Sequence, residues 1–227
     1  MYKEIAVVIP AHNEEKKIGE VVKEAKKLFE KVIVINDGST DKTEEIAKNQ
    51  GAIILSHDKC MGKGMALKTA FSYIISEGIP AFITIDGDGQ HLIADSENFI
   101  EKYKRIKRGG IFIGKRKMVS TKMSFLRRIT NTSMSILISL LSFQWIPDTQ
   151  CGYRLIKKDV IEKVKLITSH YETESELLIK ASWKGFRIIS VPITTVYSDE
   201  KSKIKPGRDT LRFFKMILVI IFPQLSK

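Results

Sequence analysis

The chain has 227 residues, 43% hydrophobic and 28% charged, enough for one large or two small globular domains with a real core. That composition excludes disorder, collagen-like repeats and a disulfide-stapled miniprotein. The formal net charge of +12 is unevenly spread: residues 1–100 hold 12 Lys/Arg against 16 Asp/Glu, a net of −4, whereas residues 101–227 hold 26 against 10, a net of +16. A basic half admits three kinds of partner: nucleic acid, an anionic membrane surface or phosphorylated substrates.

Cys60 and Cys151 are the only cysteines, too few for a disulfide framework and without metal-type spacing, so a reduced, cytoplasmic chain is expected. The N-terminus lacks a basic leader, a long apolar region and a small-residue cleavage site, so no signal peptide is expected. The longest apolar run, Met216–Pro223, is far below the roughly 20 residues of a spanning helix.

From the N-terminus, short β-branched apolar runs alternate with longer amphipathic stretches. Strands are expected at Ile5–Pro10, Lys31–Asn36, Ala52–His57, Ala81–Ile85 and Ile111–Gly114, and helices at Glu15–Phe29, Asp41–Asn49, Lys63–Glu77 and Ala94–Arg108. This alternation predicts an α/β fold with a mostly parallel sheet flanked by helices, whose ligands bind at the carboxyl ends of the strands. After a polar loop at Lys115–Lys122, a helix is expected at Ser124–Phe143, nearly apolar all round in its later part apart from three serines. Helices at Lys157–Leu166 and Glu174–Lys184, a strand at Arg187–Pro192, a basic loop at Ser198–Arg208 and a last helix at Asp209–Phe222 follow. No repeat or flexible linker interrupts the chain. One domain, 1–227, is expected, with a first half 1–115 and a basic second half 116–227.

Three expected strand ends carry carboxylates: Pro10-Ala11-His12-Asn13-Glu14, Asn36-Asp37-Gly38-Ser39-Thr40-Asp41 and Asp86-Gly87-Asp88-Gly89-Gln90-His91. Such a concentration of like charge makes sense around a cation. Asp86 and Asp88 can both turn toward a hard divalent ion, and Mg²⁺ takes one or two protein carboxylates together with substrate phosphates; the same residues also read as a plain turn. Ser39, Thr40 and Asp41 are good caps for the helix beginning near Lys42, while Asp37 stands free to bind a base or ribose. Gly62-Lys63-Gly64 resembles a fragment of a phosphate loop without the Walker spacing.

Taken in order, Val7–Glu14, Val34–Asp41, Gly62–Gly64, Asp86–His91 and Asp148-Thr149-Gln150-Cys151-Gly152-Tyr153-Arg154 resemble the motifs of family 2 glycosyltransferases. The chain looks most like the polyprenyl-phosphate branch, similar to dolichyl-phosphate mannose and glucose synthases, over about Ile5 to Arg212. The resemblance implies an inverting hexosyltransferase of GT-A fold, with mannose or glucose passing from GDP-mannose or UDP-glucose to polyprenyl or dolichyl phosphate. It assigns Pro10, His12, Glu14, Ile35, Asp37, Asp86 and Gly87 to the nucleotide sugar, with Lys203 or Arg208 closing over the diphosphate. Asp86, Asp88 and Gln90 would surround Mg²⁺ or Mn²⁺, and Asp88, Arg116 and Arg128 would be the catalytic residues. Arg116, in the loop after the fifth strand, and Arg128, with Asn131 or Thr132, would face the acceptor phosphate, although Arg127 and Arg128 are not distinguished.

An anionic phosphate acceptor needs no general base; a sugar hydroxyl acceptor, the alternative, does. Glu172 and Glu174 are the candidates for that base, and capping of a helix start accounts for them equally. Ser124–Phe143 and Asp209–Phe222 combine basic and apolar residues, as helices lying in a lipid headgroup region do, or they simply pack on the sheet. Peripheral placement on the cytoplasmic face of an anionic membrane is therefore expected. Nucleic acid is not an expected partner, because neither a binding motif nor an aromatic stacking platform is present.

Overall fold

A computed structural model describes residues 1–116, 125–194 and 206–222. Seven strands form one sheet: β1 (Ile5–Ala11), β2 (Val32–Asp37), β3 (Ile53–His57), β4 (Ala81–Thr84), β5 (Gly109–Arg116), β6 (Arg154–Lys157) and β7 (Arg187–Ile193), in the order β3-β2-β1-β4-β6-β5-β7. β6 runs antiparallel to both its neighbours and the other strand pairs are parallel. Parallel strands buried on both faces read as continuous apolar runs, and β1, β2 and β4 are buried along almost their whole length.

The helices are α1 (Ile18–Leu28), α2 (Thr43–Asn49), α3 (Lys63–Ser76), α4 (Ser96–Arg105), α5 (Phe125–Ser142), α6 (Lys158–Lys163), α7 (Glu172–Trp183) and α8 (Pro206–Ile221). α1 shows the expected amphipathic face, with Ile18, Val21, Val22 and Ala25 buried. α7 is buried on nearly every side, because α3, α5 and α8 all pack against it.

Three departures from the sequence reading matter for the site. The Asp148–Arg154 motif, at which no strand is expected, runs into β6, inserted between β4 and β5. β5 extends to Arg116, which is the strand's last residue rather than part of the following loop. In α5 the serines share the inward face with Ile138: Ser135, Ser139 and Ser142 are buried, while Ile136 and Leu140, and Phe143 just past the helix end, are exposed. Ser139 Oγ accepts from Ile146 N at 2.9 Å and Ser135 Oγ accepts from Thr149 N at 3.1 Å, so the helix uses its polar side to hold the 146–149 turn.

Candidate functional site

A cleft of about 730 Å³ opens at the carboxyl ends of β1, β2, β4 and β5, where a parallel sheet presents its loops. Pro10, His12, Glu14 and Asp37 form one wall, Asp86 to His91 another, and Arg116, Gly152, Arg154, Glu174, Arg208 and Arg212 complete it. The first wall is stitched from the loops after β1 and β2. Asn13 N donates to Ser39 Oγ at 3.0 Å, Thr40 N donates to Asn13 Oδ1 at 2.8 Å, and Glu14 N donates to Thr43 Oγ1 at 2.8 Å. The N-cap of α2 is Lys42, with no side-chain cap, so none of Ser39, Thr40 and Asp41 fills the expected capping position; Asp41 instead accepts from Thr43 N at 3.0 Å and from Glu15 N at 3.1 Å, tying the two loops together ahead of the helix.

Asp37 is held more tightly than its place at a strand end suggests. Its Oδ1 accepts from Met61 N at 2.8 Å and lies 2.8 Å from His57 Nδ1; its Oδ2 accepts from Gly62 N at 2.8 Å and from Cys60 Sγ at 3.4 Å. Burial works against the charge, but these hydrogen bonds outweigh it and keep the carboxyl below its ordinary range. Asp37 therefore anchors the 59–62 loop, and His12 Nδ1 donates to its backbone carbonyl at 2.8 Å. Gly38 is required here: at φ 62° a Cβ would stand 2.3 Å from the Lys59 carbonyl carbon.

The floor of the cleft is an ionic network that sequence reasoning did not assemble. Lys63, at the first turn of α3, bridges Asp86 Oδ1 at 2.7 Å and Glu174 Oε2 at 2.8 Å. Burial disfavours its charge, yet the two carboxylates outweigh burial and hold Lys63 protonated. For Asp86 burial again opposes, and Lys63 foremost among its cationic neighbours keeps it ionised, below the ordinary value. Arg154, 2% exposed, donates to the carbonyls of Cys151 at 2.9 Å, Thr149 at 3.0 Å and Glu174 at 2.9 Å, and its guanidinium lies 3.5 Å from Glu174 Oε1. Gly152 leaves room for the Asp86 carboxylate, whose Oδ2 would be 2.6 Å from a Cβ there. The Gly-Lys-Gly sequence thus marks a close approach of α3 to the 169–173 segment, with Met65 N donating to Ser169 O at 3.0 Å, rather than a Walker loop. Its lysine was the readable signal; the carboxylates it reaches are distant in sequence.

Asp86, Asp88 and Gln90 all line the cleft, and Asp88 Oδ1 accepts from Gln90 N at 3.0 Å, folding the turn back on itself. The buried His91 Nδ1 beside them has no hydrogen-bond partner among the described residues. Among the described residues no group of three His, Cys, Asp or Glu side chains is clustered to cage an ion. Two carboxylates and an amide at an open cleft fit Mg²⁺ or Mn²⁺ completed by water and phosphate oxygens, and do not fit a closed structural metal centre.

Cationic groups approach from the second half of the chain. Arg116 lines the cleft with its Nε 2.8 Å from Asp148 Oδ2 and its Nη2 2.8 Å from Asp148 Oδ1, a two-pronged pair with Asp148 3% exposed. α8 contributes Arg208 and Arg212, which flank Asp209 at 3.7 and 3.5 Å. Other expected site residues stand elsewhere. Ile35 is fully buried within β2, beneath the cleft. Arg128, Asn131 and Thr132 lie on α5, no described residue of which belongs to the cleft wall, and Arg128 is exposed. Of the two base candidates, Glu174 is in the wall but held by Lys63 and Arg154, and Glu172 is buried outside it. Lys203 lies outside the described residues.

Comparison with known proteins agrees with this geometry. Residues 6–165 match the family model described as Glycosyl transferase family 2. An uncharacterized protein of Methanocaldococcus jannaschii is 33% identical, with 98% of this chain aligned to 93% of the relative. A dolichyl-phosphate hexose transferase of Haloferax volcanii is 26% identical over 90% of this chain and 88% of its own. Among solved structures, glucosyl-3-phosphoglycerate synthase of Mycobacterium tuberculosis in complex with Mg²⁺ and uridine diphosphate superposes with a TM-score of 0.76, covering 94% of this chain and 78% of that one at 18% identity.

Proposed function

The chain belongs to glycosyl transferase family 2 and has the GT-A-like α/β fold, and from that premise we propose that it transfers a hexose from a nucleotide sugar to polyprenyl or dolichyl phosphate at a membrane surface. One observation carries the acceptor assignment. Arg208 and Arg212 of α8 line the same cleft as Asp86 and Asp88, while Leu211, Phe214 and Leu218 of that helix are 72%, 52% and 52% exposed. A single helix joins an anion-binding wall to an outward apolar face, as an acceptor with a phosphate head and a hydrocarbon tail requires. α5 adds outward apolar residues at Ile136 and Leu140, with Phe143 and Trp145 exposed just beyond its end. No helix among the described residues is long and apolar enough to cross a membrane, so these faces reach the lipid from its surface. The similarity to a dolichyl-phosphate hexose transferase supports the same acceptor class.

In this reading Pro10, His12 and Glu14 hold the nucleoside, with Asp37 fixing the 59–62 loop against it. Asp86, Asp88 and Gln90 would hold a divalent ion, which would supply Lewis-acid stabilisation of the negative charge on the leaving nucleoside diphosphate. The acceptor phosphate oxygen attacks the anomeric carbon from the face opposite the leaving group. A carbon–oxygen bond forms, the bond to the diphosphate breaks with its electron pair on the leaving oxygen, and the anomeric configuration inverts. Arg208 and Arg212 orient the acceptor anion, and Arg116, fixed by Asp148, completes the wall.

An already ionised acceptor needs no proton removed, in keeping with Glu174 being occupied by two cations and Glu172 lying outside the wall. A sugar hydroxyl acceptor would need one of them free, so that reading is less favoured. The test is incubation with labelled UDP-glucose, GDP-mannose and related donors, polyprenyl phosphate in vesicles, and Mg²⁺ or Mn²⁺. Label entering the organic phase, and lost in Asp88→Ala, is the expected result. Label transferred only to water-soluble acceptors overturns the lipid assignment.

A further inference from the structure

The Lys63 bridge raises a question that the donor reading leaves open. Its ammonium contacts Asp86, one of the two carboxylates assigned to the divalent ion, and ties it to Glu174, which points into the same cleft. Lys63 begins a helix whose close packing is fixed by Gly64, where a Cβ would stand 2.0 Å from Thr173 Oγ1 and 2.5 Å from the Ser169 carbonyl carbon. Glu174 is fixed in turn by its backbone carbonyl on Arg154. The lysine is therefore mounted on two rigid elements, and its 18% exposed side chain is no loosely held surface group.

We propose that Lys63 is a positioning residue: a resident cation that neutralises Asp86 while the cleft is empty, so that the divalent ion enters together with the nucleoside diphosphate and not ahead of it. This rests on the metal-assisted donor reading above. The charges decide the sign. Asp86, Asp88 and Glu174 bring three negative charges to the floor, and Lys63 and Arg154 bring two positive ones, leaving little net attraction for a bare dication. A nucleoside diphosphate arriving with its ion supplies further phosphate oxygens to the ion and gives the Lys63 ammonium an anion to face. Binding of ion and nucleotide is thereby coupled, and the coupling is reciprocal.

A lysine that merely oriented Asp86 for the ion would act oppositely: loss of a group that orients a metal ligand weakens the site, commonly about 10- to 100-fold. The two roles thus predict opposite signs in one measurement. Mn²⁺ binding is measured by electron paramagnetic resonance of the free ion and by calorimetry, with no turnover, for wild type, Lys63→Gln, Lys63→Arg and Asp88→Ala, each alone and with UDP or GDP. Removing the positive charge should tighten Mn²⁺ binding without nucleotide by about tenfold or more. Lys63→Arg should stay close to wild type, and the gain in Mn²⁺ affinity on adding nucleotide should shrink in Lys63→Gln. Melting curves of Lys63→Gln, expected to recover toward wild type when Mn²⁺ is added, establish that the variant is folded.

Unchanged or weaker Mn²⁺ binding in folded Lys63→Gln overturns this inference while leaving the metal reading intact. If wild type with either nucleotide binds no more Mn²⁺ than Asp88→Ala, the metal reading fails and takes this inference with it. If Lys63→Gln does not fold, a wild-type-like Mn²⁺ affinity and nucleotide coupling in Lys63→Arg supports the charge argument, and loss of both refutes it.

Discussion

Gly152→Ala perturbs the candidate site without touching a charge. A methyl group on this residue would stand 2.6 Å from Asp86 Oδ2 and 3.1 Å from its Cγ and Oδ1. A relaxed carbon–oxygen contact is about 3.3 Å, so one partner must retreat by roughly 0.7 Å. The backbone cannot give easily: the Gly152 carbonyl accepts from Thr84 Oγ1 at 2.8 Å, and Arg154 holds the neighbouring Cys151 carbonyl at 2.9 Å. The carboxylate must move instead, straining or breaking its 2.7 Å contact with Lys63. Overpacking of this kind costs about 1–3 kcal/mol, which in a chain of this size lowers Tm by roughly 2–12 °C. The catalytic loss should be larger, because a displacement approaching 1 Å at a reacting centre costs on the order of 100-fold. Circular dichroism melting and kcat/KM for the labelled-donor reaction measure the two effects. A variant with wild-type melting and activity within threefold of wild type would refute the claim that the Asp86 carboxylate is fixed against Gly152.

Arg116→Ala strips the buried Asp148 of its cationic partner and leaves it the backbone N–H of residue 116 at 3.1 Å, so folding stability should fall by about 3–5 kcal/mol in denaturant titrations, with part recovered in Arg116→Ala/Asp148→Asn; additive losses in the double variant would contradict this pairing. Asp37, held below its ordinary value, contributes stability that is present above its unfolded pKa of about 4 and is lost as pH falls through the lower folded value. Asp37→Asn should therefore be less stable than wild type at neutral pH and flatter on the acid limb, and parallel acid limbs would contradict the assignment. Replacing Leu211, Phe214 and Leu218 by Ser should weaken binding to anionic vesicles about tenfold or more with little change in Tm, since all three side chains already face solvent. Unchanged vesicle binding would remove α8 from the membrane contact.

Much of this architecture was readable because strands buried on both faces leave short runs without charged residues, β-branched throughout in Val32–Ile35 and mixed in Ala81–Thr84. β6 was not readable because a charged residue opens it. Arg154 is buried by donating to three backbone carbonyls, and no local pattern announces such acceptors. The serines of α5 misled for a related reason. They looked like interruptions of an apolar helix, but the turn at 146–149 makes them the inward side and leaves Leu140 and Phe143 outside. At the site, the strand-end carboxylates were legible from their position. The partners that decide their roles, Lys63 for Asp86 and the backbone N–H groups of Met61 and Gly62 for Asp37, lie 20 or more residues away. Sequence spacing names the groups at the cleft, and only the fold shows which of them are already engaged.

The central claim, transfer of a hexose to an anionic lipid phosphate with inversion, is tested most directly by the structure of the product. After reaction of the preferred donor with polyprenyl phosphate, proton and phosphorus-31 NMR of the organic-phase product should show a single glycosyl phosphodiester whose anomeric configuration is opposite to that of the donor. A product with the sugar on a hydroxyl oxygen, or a phosphodiester that retains the donor configuration, would contradict the account.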